Sequence, residues 1–122
     1  VSRAAVQPWP VELRLKKAER RLVVRFDDGA DFMLPAELLR VYSPSAEVQG
    51  HGGAGGTLVH GKRSVAIASL DPVGNYALRI GFDDGHRTGL YTWAYLRELG
   101  ETAAAKWAAY EARLAAAGLA RG

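Results

Sequence analysis

The strongest constraint on this chain is a segment that it uses twice. Leu22-Val-Val-Arg-Phe-Asp-Asp-Gly29 and Leu78-Arg-Ile-Gly-Phe-Asp-Asp-Gly85 each end an apolar stretch in Phe-Asp-Asp-Gly, and the copies stand 56 residues apart. Asp-Gly tolerates the positive φ of a tight hairpin turn, so each copy predicts a strand that doubles back. Phe32-Met33-Leu34 returns after the first turn and Gly89-Leu90-Tyr91 after the second. A short helix then follows each return. Pro35 fits the first helical position ahead of Ala36–Arg40. Thr92 caps a helix through Trp93, Tyr95, Leu96 and Leu99, with Gly100 as its stop. The second copy is one residue longer before its helix. Two copies are too few for a solenoid. The pattern predicts an α+β fold in which duplicated β-hairpin–helix units form a small sheet with short helices beside it.

The rest of the chain fits around these units. Val11 to Lys16 alternates apolar and polar residues, the period of a half-buried strand, and Lys17 to Arg20 turns it into the first repeated strand. A loop spans Tyr42 to about Gly56. Ser64 to Leu70 predicts a strand, Asp71-Pro72-Val73-Gly74 a turn, and Tyr76 to Phe82 the second repeated strand. Residues 102–117 predict an Ala-rich C-terminal helix with Trp107, Tyr110 and Leu114 on one apolar stripe.

At 122 residues, with 48% hydrophobic and 24% charged residues, the chain has the size and composition of one globular domain, 1–122. The absence of cysteine excludes disulfides, a cysteine-ligated zinc or iron–sulphur site and a thiol nucleophile. No segment fits a transmembrane helix, and the first ten residues lack the apolar run of a secretory leader, so a cytoplasmic location is expected. Net charge is +3, and the excess is local: Arg14, Lys16, Lys17, Arg20, Arg21 and Arg25 stand against Glu12 and Glu19. Because these cations alternate with Leu13, Leu15, Leu22 and Val24, they read first as the solvated face of a hairpin. A nucleic-acid surface is the alternative.

Motifs that resemble chemistry weaken on inspection. Gly50-His51-Gly52-Gly53-Ala54-Gly55 matches a dinucleotide fingerprint, but strand-like residues rather than a helix follow it. Gly56 to Lys62 matches a phosphate loop until Arg63 stands where Ser or Thr must hold magnesium. Asp27/Asp28 and Asp83/Asp84 each precede a turn glycine, where turn chemistry explains them without a substrate. Ser43, Ser45, Glu47 and His51 lie close in sequence, yet a serine nucleophile needs a placed base and an oxyanion hole.

Taken in order, Phe26-Asp-Asp-Gly29, Leu34-Pro-Ala-Glu-Leu-Leu-Arg40, Tyr42-Ser-Pro-Ser-Ala-Glu-Val48, Gly61-Lys-Arg63, Pro72-Val-Gly-Asn-Tyr76 and Phe82-Asp-Asp-Gly-His-Arg-Thr-Gly-Leu-Tyr-Thr-Trp93 resemble the gamma-butyrobetaine hydroxylase-like N-terminal domain family. The resemblance covers residues 8–100, leaving 101–122 as a C-terminal helix and tail. It implies an accessory domain, which in eukaryotic hydroxylases binds zinc ahead of an oxygenase domain and elsewhere accompanies iron–sulphur P-loop proteins. The family's three cysteine ligands map onto Ser43, Ser45 and Val48, and its histidine onto His86. Hydroxyls and a valine cannot replace thiolates, so the tetrahedral site is lost.

The sequence therefore leads to a non-enzymatic accessory or binding module with a protein partner. A link to iron or iron–sulphur metabolism is implied by the resemblance alone. No cofactor is required, and no membrane is expected as a partner. His86 and His51, with Glu47, are the residues left for a weak divalent-metal site. The alternatives are a basic nucleic-acid-binding domain using residues 12–25, and a weak metal-dependent enzyme around Ser43, Glu47, His51 and His86.

Overall fold

A computed structural model describes residues 9–44 and 58–122. Each repeated unit closes its own three-stranded antiparallel sheet. In the first, β1 (Pro10–Lys16), β2 (Arg21–Phe26) and β3 (Asp31–Pro35) pair in sequence order and lead into α1 (Ala36–Val41). In the second, β4 (Ile67–Val73), β5 (Ala77–Phe82) and β6 (Leu90–Thr92) do the same and lead into α2 (Trp93–Glu101). The final helix, α3, spans Ala103–Ala117.

The duplication extends to single bonds. In the two turns Gly29 and Gly85 take φ of 91° and 93°, and each donates to the carbonyl of its own Phe at 3.1 Å. Asp28 Oδ1 accepts from the Ala30 amide at 3.2 Å and Asp84 Oδ1 from the His86 amide at 3.0 Å, the turn chemistry that Asp supplies. Asp27 and Asp83 in turn accept through Oδ1 from the amides of Trp9 and Ala66, which anchors the start of each outer strand. Both sheets carry a register irregularity at the same place, between Pro10 and Glu12 and between Ile67 and Ser69.

One core joins the two sheets. Leu22, Val24, Phe26 and Leu34 from the first pack with Leu78, Ile80, Phe82 and Tyr91 from the second, and Leu39, Leu96 and Leu99 cover them from α1 and α2. Burying apolar side chains of this size contributes about 1.5–3 kcal/mol each. The α3 stripe forms a smaller cluster, in which Tyr110 and Leu114 meet Val41 while Trp107 packs alongside.

Several boundaries differ from the sequence expectation, each for a tertiary reason. The strand expected at Ser64–Leu70 begins at Ile67 and runs through Val73, so Asp71 and Pro72 are strand rather than turn. Proline is tolerated there because β4 is an edge strand. The turn shifts to Gly74–Tyr76, and β5 starts at Ala77 instead of Tyr76. Pro35 is the N-cap rather than the first helical residue, because the next amide, Ala36, donates back to the Arg20 carbonyl at 2.8 Å. Gly100 does not stop its helix. Thr102 does, with its hydroxyl and amide both donating to the Glu98 carbonyl. Gly100 lies inside α2, where a side chain would overlap the Phe32 ring.

Candidate functional site

The hairpin turn of each unit reaches the helix of the other, which creates two equivalent corners. At the first, Arg97 of α2 pairs with Asp28 at 2.9–3.0 Å and lies over the rings of Phe26 and Phe32 at 5.2 and 5.5 Å. At the second, Arg40 of α1 donates through Nε to Asp84 Oδ2 at 2.8 Å. Lys62 reaches the same oxygen at 2.7 Å.

The corners differ in what fills them. At the first, Phe32 occupies the space over Gly100 and closes it with apolar packing. At the second, the glycine is on the hairpin: Gly89 faces Ser43 Oγ, Pro44 and the Tyr91 ring. Ser43, with no solvent exposure, has its Oγ 2.9 Å from His86 Nε2. One corner is therefore sealed by a phenylalanine, and the other is built from polar groups.

Electrostatics follow from this construction. Burial acts to raise the Asp84 pKa, but hydrogen bonds from Lys62, the His86 amide and Arg40 outweigh it and hold the carboxyl well below the usual carboxylate range. Burial pushes the Tyr91 phenol well above its usual value, and its hydroxyl donates to the Leu39 carbonyl. Arg40 Nη1 is buried with no acceptor among the described residues. A buried guanidinium nitrogen without a partner makes Asp84 the group on which the corner depends.

The residues singled out from sequence divide clearly. Ser43 and His86 meet, so two of the four positions that the resemblance assigns to zinc ligands are adjacent in space. Ser45, Glu47, Val48 and His51 lie outside the described residues, as do the glycine-rich fingerprint and the start of the phosphate-loop motif. Lys62, the lysine of that motif, is committed to Asp84, and no helix follows it. Among the described residues no group of three His, Asp or Glu side chains is placed to hold a metal. Among the described residues this corner offers zinc one imidazole and one hydroxyl, bonded to each other, next to two cations that share one carboxylate. The cations of residues 12–25 lie elsewhere, with Arg14, Arg21 and Arg25 exposed on the first sheet.

Sequence reasoning missed Arg40, Arg97 and Lys62. The signal for the first two was present, since Leu39-Arg40 and Leu96-Arg97 recur in the duplicated unit, but nothing local shows that each arginine serves the other unit's turn.

The family model described as gamma-butyrobetaine hydroxylase-like, N-terminal, matches residues 13–97, which span both hairpins, both short helices and both corners. The chain belongs to that family. Two solution structures, each described only as that of a protein, are similar at 46% identity and a TM-score of 0.82, with 95% and 99% of this chain and 91% and 90% of theirs covered. A crystal structure of a family protein of unknown function from Acidithiobacillus ferrooxidans is 38% identical with a TM-score of 0.63, over 75% of this chain and 91% of that one. No curated protein matches the chain. Among the described residues no helix of this family member is long and apolar enough to cross a membrane.

Proposed function

We propose that the protein is a non-enzymatic accessory or binding module acting on a protein partner. The observation that carries this reading is the packing of Ser43. Ser43 Oγ and His86 Nε2, at 2.9 Å, have the spacing of a nucleophile and its base. Yet the serine is fully buried, and a single added carbon on Gly89 would overlap its hydroxyl. A substrate carbonyl needs that same space to approach within about 3 Å of both nucleophile and oxyanion donors. The pair serves instead to tie the second hairpin to the end of α1, as Phe32 and Gly100 tie the first hairpin to α2.

Family membership supports the same reading, because the resemblance is to a domain that accompanies catalytic partners. The test is covalent labelling of the full chain with a fluorophosphonate, followed by mass spectrometry. No adduct at Ser43 is expected. An adduct there that disappears in a His86→Ala variant of unchanged fold would establish a serine hydrolase and overturn the proposal.

A further inference from the structure

The duplication provides an internal comparison for the outer faces of the two sheets. Outward positions on the first sheet carry Arg14, Lys16, Arg21 and Arg25, with Glu12 between Arg14 and Arg25 and Asp31 of β3 opposite Arg25 as the carboxylates. The register-matched positions on β4 and β5 are Asp71, Val73, Ala77 and Gly81, of which Ala77 and Gly81 are buried, with Arg79 opposite Asp71. The first face is exposed and keeps a basic excess, whereas the second is partly covered and carries one Asp and one Arg.

Two hollows flank Met33, which stands 56% exposed on this face. One, of about 290 Å³, is lined by Arg14, Lys16, Val23, Phe32 and the carboxylate of Asp31, and the other, of about 480 Å³, by Arg20, Arg21, Arg63, Glu19 and the Glu37–Arg121 pair, so cations outnumber carboxylates in both. Arg121 holds the buried Glu37 with two hydrogen bonds of 2.9 and 3.1 Å, so that carboxylate is already matched. Arg20, Arg21 and Arg63 form no ion pair with a carboxylate among the described residues. Arg20 also has a φ of 55°, the one positive value outside glycine among the described residues. The matching turn of the second unit gives its positive φ to Gly74. An arginine in a conformation that favours glycine thus lines the larger hollow.

We propose that this face docks an acidic, extended segment of a partner protein, with carboxylates on Arg20, Arg21 and Arg63 and an apolar side chain over Met33. The proposal rests on the binding-module reading and names the partner's chemistry. Guanidinium forks match carboxylates in pairs, and a flexible thioether accommodates varied apolar contacts. The face suits a nucleic acid less well, because the outward strand positions carry no aromatic and the one ring lining the hollows, Phe32, is not open for a base to stack on. Phe32 packs over Gly100 and under the Arg97 guanidinium.

The test is fluorescence anisotropy of the full chain with a labelled peptide of about ten residues alternating Glu and Leu, at low and high salt. Binding is expected to weaken with salt and to fall about tenfold or more in Arg21→Glu/Arg63→Glu. Met33→Ser should weaken it further. The control Arg79→Glu/Arg113→Glu changes net charge equally on other exposed surfaces and should leave affinity within about twofold. Equal loss in the control would show that net charge, not this face, does the binding. Stronger binding of an oligothymidylate of matched charge, lost in the same Arg21/Arg63 variant, would assign the face to nucleic acid and overturn the proposal. Either failure leaves the Ser43 labelling result as it stands, so the two readings fall separately.

Discussion

Replacing Asp84 with Asn removes the charge on which the second corner converges. Arg40, Asp84 and Lys62 have side-chain exposures of 12%, 18% and 25%, which places the cluster between a surface pair and a buried one. Exposed pairs contribute about 0–1 kcal/mol, and breaking a buried pair costs about 3–5 kcal/mol. Two cations lose one carboxylate here, and Arg40 Nη1 already has no acceptor, so a loss of about 2 kcal/mol is expected. For a domain of this length that lowers Tm by roughly 5–10 °C. Asp28→Asn, at the equivalent corner, should lower it less than half as far, because Asp28 is 43% exposed and Arg97 keeps Glu101 at 2.8 Å. The pH dependence separates charge from shape. A carboxyl whose folded pKa is depressed contributes its stability above its unfolded value of about 4 and loses it as pH falls toward the folded value. Urea unfolding of wild type and Asp84→Asn between pH 7 and pH 3 should show a difference that is constant above about pH 5 and begins to shrink below about pH 4. A difference that stays constant through that range, or no difference at pH 7, would refute the reasoning.

Two further outcomes follow from the packing. Gly100→Ala would stabilise an isolated helix by about 1 kcal/mol, but here the new methyl meets the Phe32 ring, so thermal unfolding should show a loss of about 1–3 kcal/mol that Phe32→Leu relieves in the double variant. Because Ser43 Oγ and His86 Nε2 bond each other, dialysis against EDTA should leave the Tm unchanged, with less than one equivalent of metal found by elemental analysis.

The duplicated Phe-Asp-Asp-Gly turns made the hairpins legible, because turn geometry is a local matter: Gly29 and Gly85 need positive φ, and each aspartate bonds an amide two residues on. The Thr92 cap was legible for the same reason, its hydroxyl accepting from the Tyr95 amide three residues later. So was the Tyr110–Leu114 stripe, because helical periodicity sets which side chains share a face. Boundaries that depend on distant neighbours were not legible. Gly100 looked like a stop and is a packing site for Phe32, and Pro72 looked like a turn and sits in an edge strand. The candidate site lay further out of reach. Arg40 and Asp84 are 44 residues apart, Ser43 and His86 are 43 apart, and Arg97 and Asp28 are 69 apart. Local sequence sets torsions and the alternation of faces, and here it determined two hairpin–helix units. Which helix each turn would grip, and that one corner would close on a phenylalanine and the other on a serine–histidine pair, was decided by the packing of the two units on a shared core. Contacts between segments so far apart exist only after that core has formed.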